Sequence, residues 1–536
     1  MCSILGQINF EENKINHKEI MNLNSMLKHR GPDDEGYYRD ANTSLAFNRL
    51  SIIDLKNGNQ PVNTYNIVSI FNGEIYNFKE LKIELIEKGF KFKTKSDSEV
   101  IPVVYKAWGI DGFKRLRGMF SICLYDLNIK KIFLVRDQIG IKPLYYFLIN
   151  DGIIFASEIK SLINHSKFKK EINYNAITSY LSHRYTVNNK SLFFKNIKQV
   201  NESSFIEISI KNKKISEHEY YNLTVKTEST DRGENYYLEL IEDKLQQSVN
   251  RHLISDVPIS VFLSGGLDSS LLSSMTSKKL DYRINTFSVG FDNINYDESN
   301  FANLVSKYIG SNHNNIKIQK SNFLENIKKI IKIKSTPASI PHEYPLYLLS
   351  SEIKKKNKVV LSGEGADEFF GGYDRVFDWS LKNRFTVEKF CDFYCYNKIN
   401  KDSLEFLNLK KFFNKLKKLS CFEKVKFFFI KFHLPILLRR LDFSLMSEGI
   451  EGREPFLSKE VFIESMKYNK NELMRDKLGK RPLRTISKKY FGQKFASLKK
   501  VGFPIDMSRI IKYKNGRISN YNLWFRLNQK ILMELK

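Results

Sequence analysis

The sequence predicts two domains: an α+β domain of antiparallel sheets packed between helices, then an α/β domain with a parallel sheet and a helical C-terminal part. The chain has 536 residues, which is more than one hydrophobic core usually accommodates. Residues 1–210 contain mostly short strand-like runs, whereas strand-like and helical runs alternate within residues 236–536. Between them, residues 211–235 are polar and are predicted to form a linker.

The first predicted domain alternates apolar runs with asparagine, glycine and aspartate, which favour turns. Helical periodicity is clearest over Asn77–Lys88 and Glu99–Trp108. Because strands outnumber helices, we expect antiparallel sheets rather than strand–helix–strand units. The runs that we interpret as strands are SLAFNRLSIIDL, NIVSIFNGEIYN, FSICLYDLNIKKIFLVRD and GIIFASEIKSL.

The second predicted domain begins with a helix, Tyr236–Leu253, followed by the apolar strand VPISVFLS and a glycine turn. The helix LDSSLLSSMTSKK follows the turn, and helical intervals separate two further strands, INTFSVGF and KVVLSGEG. Strands that alternate with helices form parallel sheets, because each helix returns the chain to the same end of the sheet. Beyond about residue 377 the sequence is helical and rich in phenylalanine, leucine and lysine.

The chain is strongly basic, with 87 lysine and arginine residues against 59 acidic residues and a net charge of +28. Such an excess occurs in proteins that bind nucleic acid or anionic surfaces. Here the lysines are interleaved with acidic or apolar residues almost everywhere, which favours an ordinary solvated surface. We therefore expect no nucleic-acid partner.

The cysteines and the apolar runs predict a cytoplasmic protein without a membrane span. Five cysteines without a CxxC pair argue against a disulfide framework or a zinc site and fit a reducing compartment. Glu11 and Glu12 interrupt the start of the chain, so no signal peptide is expected. The apolar run Phe427–Leu438 contains Lys431 and is too short to cross a bilayer. A homodimer is one oligomeric arrangement that the sequence leaves open.

Cys2 is a candidate nucleophile, because it directly follows the initiator Met1. Removal of Met1 would leave one residue carrying both a thiol and a free α-amino group, whose pKa is normally near ~8. Such an amine can serve as the general base for its own side chain, so no histidine is required. This role depends on the removal of Met1, an event that the sequence does not encode.

A second candidate site is the segment SGGLDSS, Ser264–Ser270, which follows an apolar strand and opens a helix. Backbone N–H groups of a glycine turn converge on an anion, and the helix dipole adds a favourable potential. Asp268 would repel a phosphate unless a cation lay between them, which points to Mg²⁺. The segment lacks the lysine of the GxxxxGK[ST] motif and looks like the pyrophosphate loop of ATP pyrophosphatases.

A third candidate segment is LSGEGADE, Leu361–Glu368, which ends another predicted strand and carries three carboxylates. In open α/β folds, ligands bind at the carboxyl ends of the parallel strands. We therefore expect Asp367 to lie near Asp268 and to share a metal ion with it.

The chain resembles glutamine-hydrolysing asparagine synthetases across nearly its full length. The resemblance rests on many short motifs that keep their order in both halves. In the first half these are Met1–Cys2, RGPDDEG (Arg30–Gly36), NRLSIID (Asn48–Asp54), NGEIYN (Asn72–Asn77), SDSEV (Ser96–Val100), RGMFSICLYD (Arg117–Asp126), RDQIGIKPLYY (Arg136–Tyr146) and FASEIKSL (Phe155–Leu162). In the second half they are SGGLDSS, LSGEGADEFFGGYDR (Leu361–Arg375), EGREPFL (Glu451–Leu457) and KRPLR (Lys480–Arg484).

The resemblance implies that the first domain is a glutaminase with the N-terminal-nucleophile hydrolase fold. The Cys2 thiolate would attack the side-chain carboxamide of glutamine, form a γ-glutamyl thioester and release ammonia. The side-chain amide of Asn72 and the backbone N–H of Gly73 would form the oxyanion hole. The implied glutamine-binding residues are Arg49 at the α-carboxylate, Glu74 and Asp97 at the α-ammonium, and Asn72 with Gly73 at the reacting amide.

In the second domain the resemblance implies that ATP adenylates a carboxylate with release of pyrophosphate. Ammonia, arriving through an apolar interdomain channel, would then displace AMP. Asp268 and Asp367 would hold Mg²⁺ beside the pyrophosphate. Lys480 would stabilise charge during adenylation, and Glu364 would act as a base on the ammonia. The implied ATP-binding residues are Leu263, Ser264, Gly265, Gly266, Asp268, Ser269, Val289, Ser362 and Gly363.

The sequence departs from the family pattern in three segments. Ser3 stands where glycine usually follows the nucleophile. In EGREPFLS, Ser458 stands where aspartate is usual and Gly452 where alanine or valine is common. The turn Asn201–Ser204 replaces a Pro-Gly turn. We expect the change at Ser3 to be tolerated, whereas the other two put the acceptor and details of the fold in question.

The leading hypothesis is asparagine synthesis from aspartate, glutamine and ATP. An amidotransferase of the same architecture with another carboxylate acceptor, such as a sugar acid of a surface polysaccharide, would carry the same glutamine and ATP motifs. A third hypothesis is a basic nucleic-acid-binding protein on an inactive scaffold. The retention of Cys2, Asn72, Asp268 and Asp367 argues against it.

Overall fold

The computed structural model describes residues 2–183, 192–222, 234–290, 299–317, 322–338, 340, 343–395, 399–498 and 520–534. Within these ranges, the first domain contains two six-stranded sheets, and every strand pair in them is antiparallel. The first sheet has the order β10-β8-β9-β1-β3-β2, and the second has the order β12-β11-β7-β6-β5-β4. The strands are β1 (Ser3–Asn9), β2 (Asp34–Arg39), β3 (Thr43–Arg49), β4 (Val62–Thr64), β5 (Ile67–Ile75), β6 (Gly118–Asp126), β7 (Lys131–Arg136), β8 (Tyr145–Ile149), β9 (Gly152–Ala156), β10 (Lys198–Gln199), β11 (Ser204–Ser209) and β12 (Lys214–Glu219).

The two sheets form a sandwich between helices. Ile4 and Phe47 of the first sheet share a buried core with Ile70 and Leu134 of the second. Because helices cover the outer faces as well, β1, β3 and β5 are buried along their whole length. The helices of this domain are α1 (His17–Ser25), α2 (Phe78–Glu87), α3 (Val100–Trp108), α4 (Ile159–Ile163) and α5 (Tyr174–His183), with a 3-10 turn at Gly109–Arg115.

The second domain is built on a parallel sheet, as predicted. Its described strands have the order β15-β14-β13-β16-β17, and each adjacent pair is parallel. Their carboxyl ends therefore meet at one edge of the sheet. The two glycine-containing segments, Ser264–Ser270 after β13 and Leu361–Glu368 at the end of β16, lie at this edge. The strands are β13 (Ile259–Phe262), β14 (Asn285–Gly290), β15 (Asn312–Lys317), β16 (Val359–Leu361) and β17 (Glu451–Arg453).

Helices surround this sheet and make up the C-terminal part, as predicted. They are α6 (Glu234–His252), α7 (Leu267–Ser277), α8 (Ser299–Ile309), α9 (Phe323–Lys334), α10 (Glu343–Ile353), α11 (Ala366–Phe370), α12 (Asp374–Lys382), α13 (Val387–Tyr394), α14 (Leu404–Lys415), α15 (Cys421–Phe428), α16 (Leu434–Met446), α17 (Lys459–Lys467), α18 (Lys470–Leu473), α19 (Arg481–Phe491), α20 (Gln493–Ala496) and α21 (Asn520–Glu534). A π-helical turn at Phe429–His433 precedes α16, and a 3-10 turn lies at Pro455–Leu457. None of the helices in the described ranges combines the length and hydrophobicity that a membrane crossing needs.

The polar segment predicted as a linker contains part of the first domain. Within residues 211–235, β12 pairs with β11 at the edge of the second sheet. The side chains of β12 are partly or fully exposed, because it is an edge strand. This exposure explains why its residues are polar. Residues 223–233 of the predicted linker lie outside the described residues.

The two domains are joined by a fully buried arginine. Arg30 donates from Nη1 to Glu158 at 2.9 Å and to Asp442 of α16 at 3.0 Å. Its Nη2 donates to the second oxygen of Asp442 at 3.3 Å, and its Nε donates to the carbonyl of Cys2 at 3.2 Å. These contacts fix the start of β1 relative to the second domain.

We predict that Asp442→Asn lowers the free energy of unfolding by about 3 kcal/mol, because it removes one partner of a buried ion pair. Thermal and urea unfolding would measure the loss. The control is Glu448→Gln, which breaks the 3.2 Å pair with Lys354, a side chain that is 58% exposed. The control should lose less than about 1 kcal/mol; equal losses in the two variants would contradict the prediction.

Candidate active sites

Cys2 lies at the start of β1, nearly buried, with 7% of its surface exposed. Its main-chain nitrogen, which becomes the α-amino group when Met1 is removed, donates to Asn72 Oδ1 at 3.1 Å. Burial raises the pKa of the Cys2 thiol to about 11, and Glu74 and Glu451 add to the increase. The resting thiol is therefore protonated near neutral pH, and a base must remove its proton before it attacks.

Asn72 and Gly73 lie near the C-terminal end of β5, and Asn72 contacts Cys2. Because Asn72 Oδ1 accepts from Cys2, its Nδ2 points elsewhere; this nitrogen is buried and has no hydrogen-bond partner among the described residues. A buried donor of this kind is costly unless a ligand uses it. At Gly73 (φ +148°), a Cβ would lie 1.9 Å from the carbonyl oxygen of Met119. Only glycine therefore fits beside the candidate oxyanion site.

Glu74 and Asp97 place two buried carboxylates next to this pair, each only 5% exposed. Asp97 Oδ2 accepts from the backbone N–H of Ile75 at 2.9 Å. Burial raises the pKa of Asp97 to about 6. Burial, together with the negative charges of Glu451 and Asp97, raises the pKa of Glu74 well above its usual value. Glu74 Oε2 has no hydrogen-bond partner in the described part of the chain. Such a carboxylate pair suits a cationic group of a ligand.

Arg49 ends β3 and is held by the following loop. Its guanidinium donates to the carbonyl of Asp54 at 2.6 Å, to Asn59 Oδ1 at 2.7 Å and to the carbonyl of Leu55 at 3.3 Å. Gly58 packs directly against it, since a Cβ there would lie 2.4 Å from Arg49 Nη2. These contacts make Arg49 an anchor of the loop, and its pairing with the α-carboxylate of glutamine stays a prediction.

The SGG segment forms a tight turn between β13 and α7. Gly265 has φ +82°, a conformation that favours glycine. Ser264 Oγ accepts from the backbone N–H of Gly266 at 3.2 Å, and the backbone N–H of Ser264 donates to Ser269 Oγ at 3.2 Å. The turn thus sits at the N-terminus of α7, the geometry expected for an anion site.

The two other predicted nucleotide contacts lie beside this turn. The buried Leu263 follows β13 and donates from its backbone N–H to the carbonyl of Phe287 at 2.8 Å. Val289 lies on β14, the strand next to β13. Both residues therefore lie at the edge of the sheet where the strands end.

Lys480 brings the two predicted metal carboxylates together. Its Nζ lies 2.6 Å from Asp367 Oδ1 and also forms an ion pair with Asp268 Oδ2. Burial lowers the pKa of Lys480, but Asp268 and Asp367 outweigh burial, so the net shift is upward. Gly372 packs against both partners, since a Cβ there would lie 2.0 Å from Asp367 Oδ1 and 2.1 Å from Lys480 Cε. Three residues far apart in the sequence thus meet; the sequence led us to expect Asp367 near Asp268, but not the contact of both with Lys480.

Ser362, Gly363 and Glu364 lie beside this cluster at the end of β16. The backbone N–H of Ser362 donates to the carbonyl of Arg453 at 2.8 Å. Gly363 packs against Asp268, where a Cβ would lie 3.2 Å from the Asp268 Cβ. Glu364 Oε1 accepts from Arg440 Nη2 at 2.6 Å. The two glycine segments therefore form one continuous site.

Two family models match the chain. One, described as a glutamine amidotransferase domain, covers residues 1–221, and the other, described as asparagine synthase, covers residues 240–520. The chain belongs to the asparagine synthetase family. It is therefore a glutamine-dependent amidotransferase and synthetase, a ligase that uses glutamine and ATP.

Relatives with curated names agree with this assignment. The glutamine-hydrolyzing asparagine synthetase 1 of Bacillus subtilis (strain 168) is 31% identical, over 98% of this chain and 89% of that protein. Asparagine synthetase 2 of the same organism is 36% identical over 70% of this chain and 52% of its own length. Asparagine synthetase B of Escherichia coli (strain K12) is 32% identical over 70% of this chain and 65% of its own length.

The amidotransferase match extends past residue 210 and takes in β12. This agrees with the pairing of β12 in the second sheet. The synthetase match begins within α6.

Asp268 and Asp367 fit a divalent cation by the chemistry of their donor atoms. Carboxylate oxygens are the ligands that Mg²⁺ prefers, and it usually takes one or two of them with substrate phosphates and water. Among the described residues, no group of three or more histidine, cysteine or acidic side chains is placed to hold a metal. A cation at this pair would therefore complete its shell with phosphate oxygens and water.

The sequence analysis did not single out two arginines that contact the candidate sites, one beside Cys2 and one beside Glu364. Arg30, which contacts the Cys2 carbonyl, lies in RGPDDEG, so its presence in a matched motif was the available signal. Arg440, the partner of Glu364, lies in α16 and outside every quoted motif. No local pattern shows that its side chain reaches across to the end of β16.

We predict that Gly73→Ala lowers kcat/KM for glutamine hydrolysis about a hundredfold, because the added methyl displaces an oxyanion donor. The rate of glutamate release measures the change. Gly89→Ala is the matched control, since Gly89 also has positive φ (+88°) but no heavy atom within 4 Å of the place that an added methyl would take. A folded Gly73→Ala enzyme with the activity of the control would contradict the oxyanion assignment.

Proposed function

We propose that this chain makes asparagine from aspartate, glutamine and ATP. The observation that carries the proposal is the pairing of Cys2 with Asn72, whose orphaned Nδ2 donor lies beside the nucleophile. Support for aspartate as the acceptor comes from the relative aligned over 98% of this chain, which is named as an asparagine synthetase.

In the first half-reaction, the α-amino group freed by loss of Met1 takes the proton of the Cys2 thiol. The sulfur attacks the carboxamide carbon of glutamine, and Asn72 Nδ2 with the Gly73 N–H binds the resulting oxyanion. Collapse breaks the C–N bond, the amine leaves as ammonia with the transferred proton, and a thioester remains. Water then hydrolyses the thioester to glutamate and restores the thiol.

In the second half-reaction, the acceptor carboxylate attacks the α-phosphorus of ATP, and pyrophosphate leaves. The turn at Ser264–Gly266 and the N-terminus of α7 would bind phosphate oxygens, and the Lys480 ammonium would offset the charge that develops on them. Mg²⁺ held by Asp268 and Asp367 would neutralise polyphosphate charge when bound. Ammonia then attacks the acyl-adenylate, Glu364 accepts a proton from it, and AMP leaves.

Two departures from the family pattern have local structural roles. Ser458 Oγ accepts from the backbone N–H of Val461 at 3.3 Å and caps α17, a task that aspartate performs equally well. Ser3 Oγ accepts from Asn48 Nδ2 at 2.9 Å, a hydrogen bond between the neighbouring strands β1 and β3. The capping role of Ser458 supports aspartate as the acceptor, because it gives this departure a structural reason.

We predict that Cys2→Ala abolishes glutamine-dependent product formation and retains synthesis from free ammonium, because only the first half-reaction uses the thiol. Product formation from each nitrogen source, in parallel assays, gives the comparison. Cys123→Ala is the control, since Cys123 is also a buried cysteine between the sheets, in the same apolar cluster as Cys2, but takes no part in the proposed reaction. Equal loss of both activities in folded Cys2→Ala would contradict separate sites.

The acceptor is identified by pyrophosphate release with glutamine, ATP and a panel of carboxylates. We predict strong stimulation by aspartate and little by glutamate, succinate or a uronic acid, because the acceptor must present its carboxylate to the α-phosphate in one geometry. Stimulation by a sugar acid and not by aspartate would contradict asparagine synthesis while leaving the amidotransferase assignment intact.

A further inference from the structure

Arg453 is a buried residue of the synthetase domain that touches both candidate sites. It ends β17. Its backbone carbonyl accepts from the N–H of Ser362 at 2.8 Å, and Ser362 belongs to the segment Leu361–Glu368 that is predicted to bind ATP, called the nucleotide segment below. Its side chain is 0% exposed and runs towards the amidotransferase domain. One residue thus contacts the nucleotide segment with its main chain and the other domain with its guanidinium.

Three short hydrogen bonds fix the direction of this guanidinium. Nη1 donates to the carbonyls of His252 and Ile254, both at 2.7 Å, and Nε donates to Glu451 Oε1 at 2.6 Å. The planar group cannot rotate without breaking them. Nη2 is therefore left facing Glu74 Oε1 at 3.5 Å, and it has no hydrogen-bond partner among the described residues.

Glu74 is surrounded mainly by negative charge. Burial and the carboxylates of Glu451 and Asp97 raise its pKa, whereas Arg453 and the amino terminus of the chain lower it. Among the three side chains with the largest effect on the pKa of Glu74, Arg453 is the one that favours its ionised form. A carboxylate that is to bind an ammonium must be ionised, so the guanidinium of the second domain supports the task proposed for the first.

We propose that Arg453 is a positioning residue for glutamine, holding the Glu74 carboxylate in place for the α-ammonium from the opposite domain. The proposal rests on the proposed function of the glutamine site. Because Ser362 binds the main chain of Arg453, movement of the nucleotide segment would reach Glu74 through a single residue.

The test compares Arg453→Met and Arg453→Lys with the unmodified full-length enzyme. We expect Arg453→Met to raise the KM for glutamine about tenfold, because a charge-assisted contact is lost, and to leave ammonium-dependent synthesis within about threefold. Arg453→Lys keeps the positive charge and should recover part of the KM. Glutamate release at several glutamine concentrations gives KM and kcat separately.

The pH dependence separates positioning from a purely structural role. Without the cation, the pKa of Glu74 rises further, so the carboxylate is protonated over a wider range of low pH. The KM penalty of Arg453→Met should therefore be larger at about pH 6.5 than at about pH 8.5. Glu451, Asp97 and the amino terminus are present in both enzymes, and because Arg453 also lowers the pKa values of Asp97 and Glu451, its loss shifts these carboxyls in the same direction as Glu74.

Lys334→Met is the matched control, because Lys334 is also a buried cation of the second domain and pairs with Glu343 at 2.8 Å. It should lower stability without changing the glutamine KM.

A folded Arg453→Met enzyme with an unchanged KM, or equal losses in glutamine-dependent and ammonium-dependent synthesis, would overturn the proposal. If Arg453→Met does not fold, Arg453→Gln, which also removes the charge, takes its place, and a pH-independent KM ratio between Arg453→Gln and the unmodified enzyme would also overturn the proposal. Failure of the unmodified enzyme to hydrolyse glutamine would instead reject the proposed function.

Discussion

The buried guanidinium of Arg30 joins the two domains and the backbone of the proposed nucleophile. A charge removed from water is tolerated only when it is fully paired, and Arg30 meets this condition through Glu158, Asp442 and the carbonyl of Cys2. The two carboxylates come from different domains, so the pairing is complete only when the domains are docked. The position of Cys2 therefore depends on the second domain.

The same constraint recurs at both sites. Lys480 is buried between Asp268 and Asp367, and Arg453 is buried between Glu451 and Glu74. In each case a cation gathers carboxylates that would otherwise repel one another. Both clusters lie where the proposed reaction needs charge: beside the phosphates of ATP and beside the α-ammonium of glutamine.

The sequence predicted the architecture because its periodicities are strong. The alternation of strands and helices after residue 236 indicated the parallel sheet. The motifs led us to expect Asp367 near Asp268, and in the structure both pair with Lys480, a contact that the sequence did not predict. The strand β12 was missed because an edge strand needs no apolar face and so resembles a linker. The contacts of Arg49 with its loop were also missed, since the direction of a long side chain is set by tertiary packing.

The sequence analysis did not predict the long-range charge pairs, for a related reason. Arg30 and Asp442 are 412 positions apart, and nothing local to either residue indicates the other. The reach of Arg453 to Glu74 likewise follows from domain docking, which local propensity does not encode.

The central claim is that two sites in one folded chain act in sequence, the first supplying nitrogen to the second. The most direct measurement supplies amide-¹⁵N glutamine together with an equal concentration of unlabelled ammonium and determines the isotope in the amide of the product. If nitrogen passes within the protein, the amide should carry mainly ¹⁵N, well above the content of the ammonium pool. A product amide with the isotope composition of that pool would contradict the account.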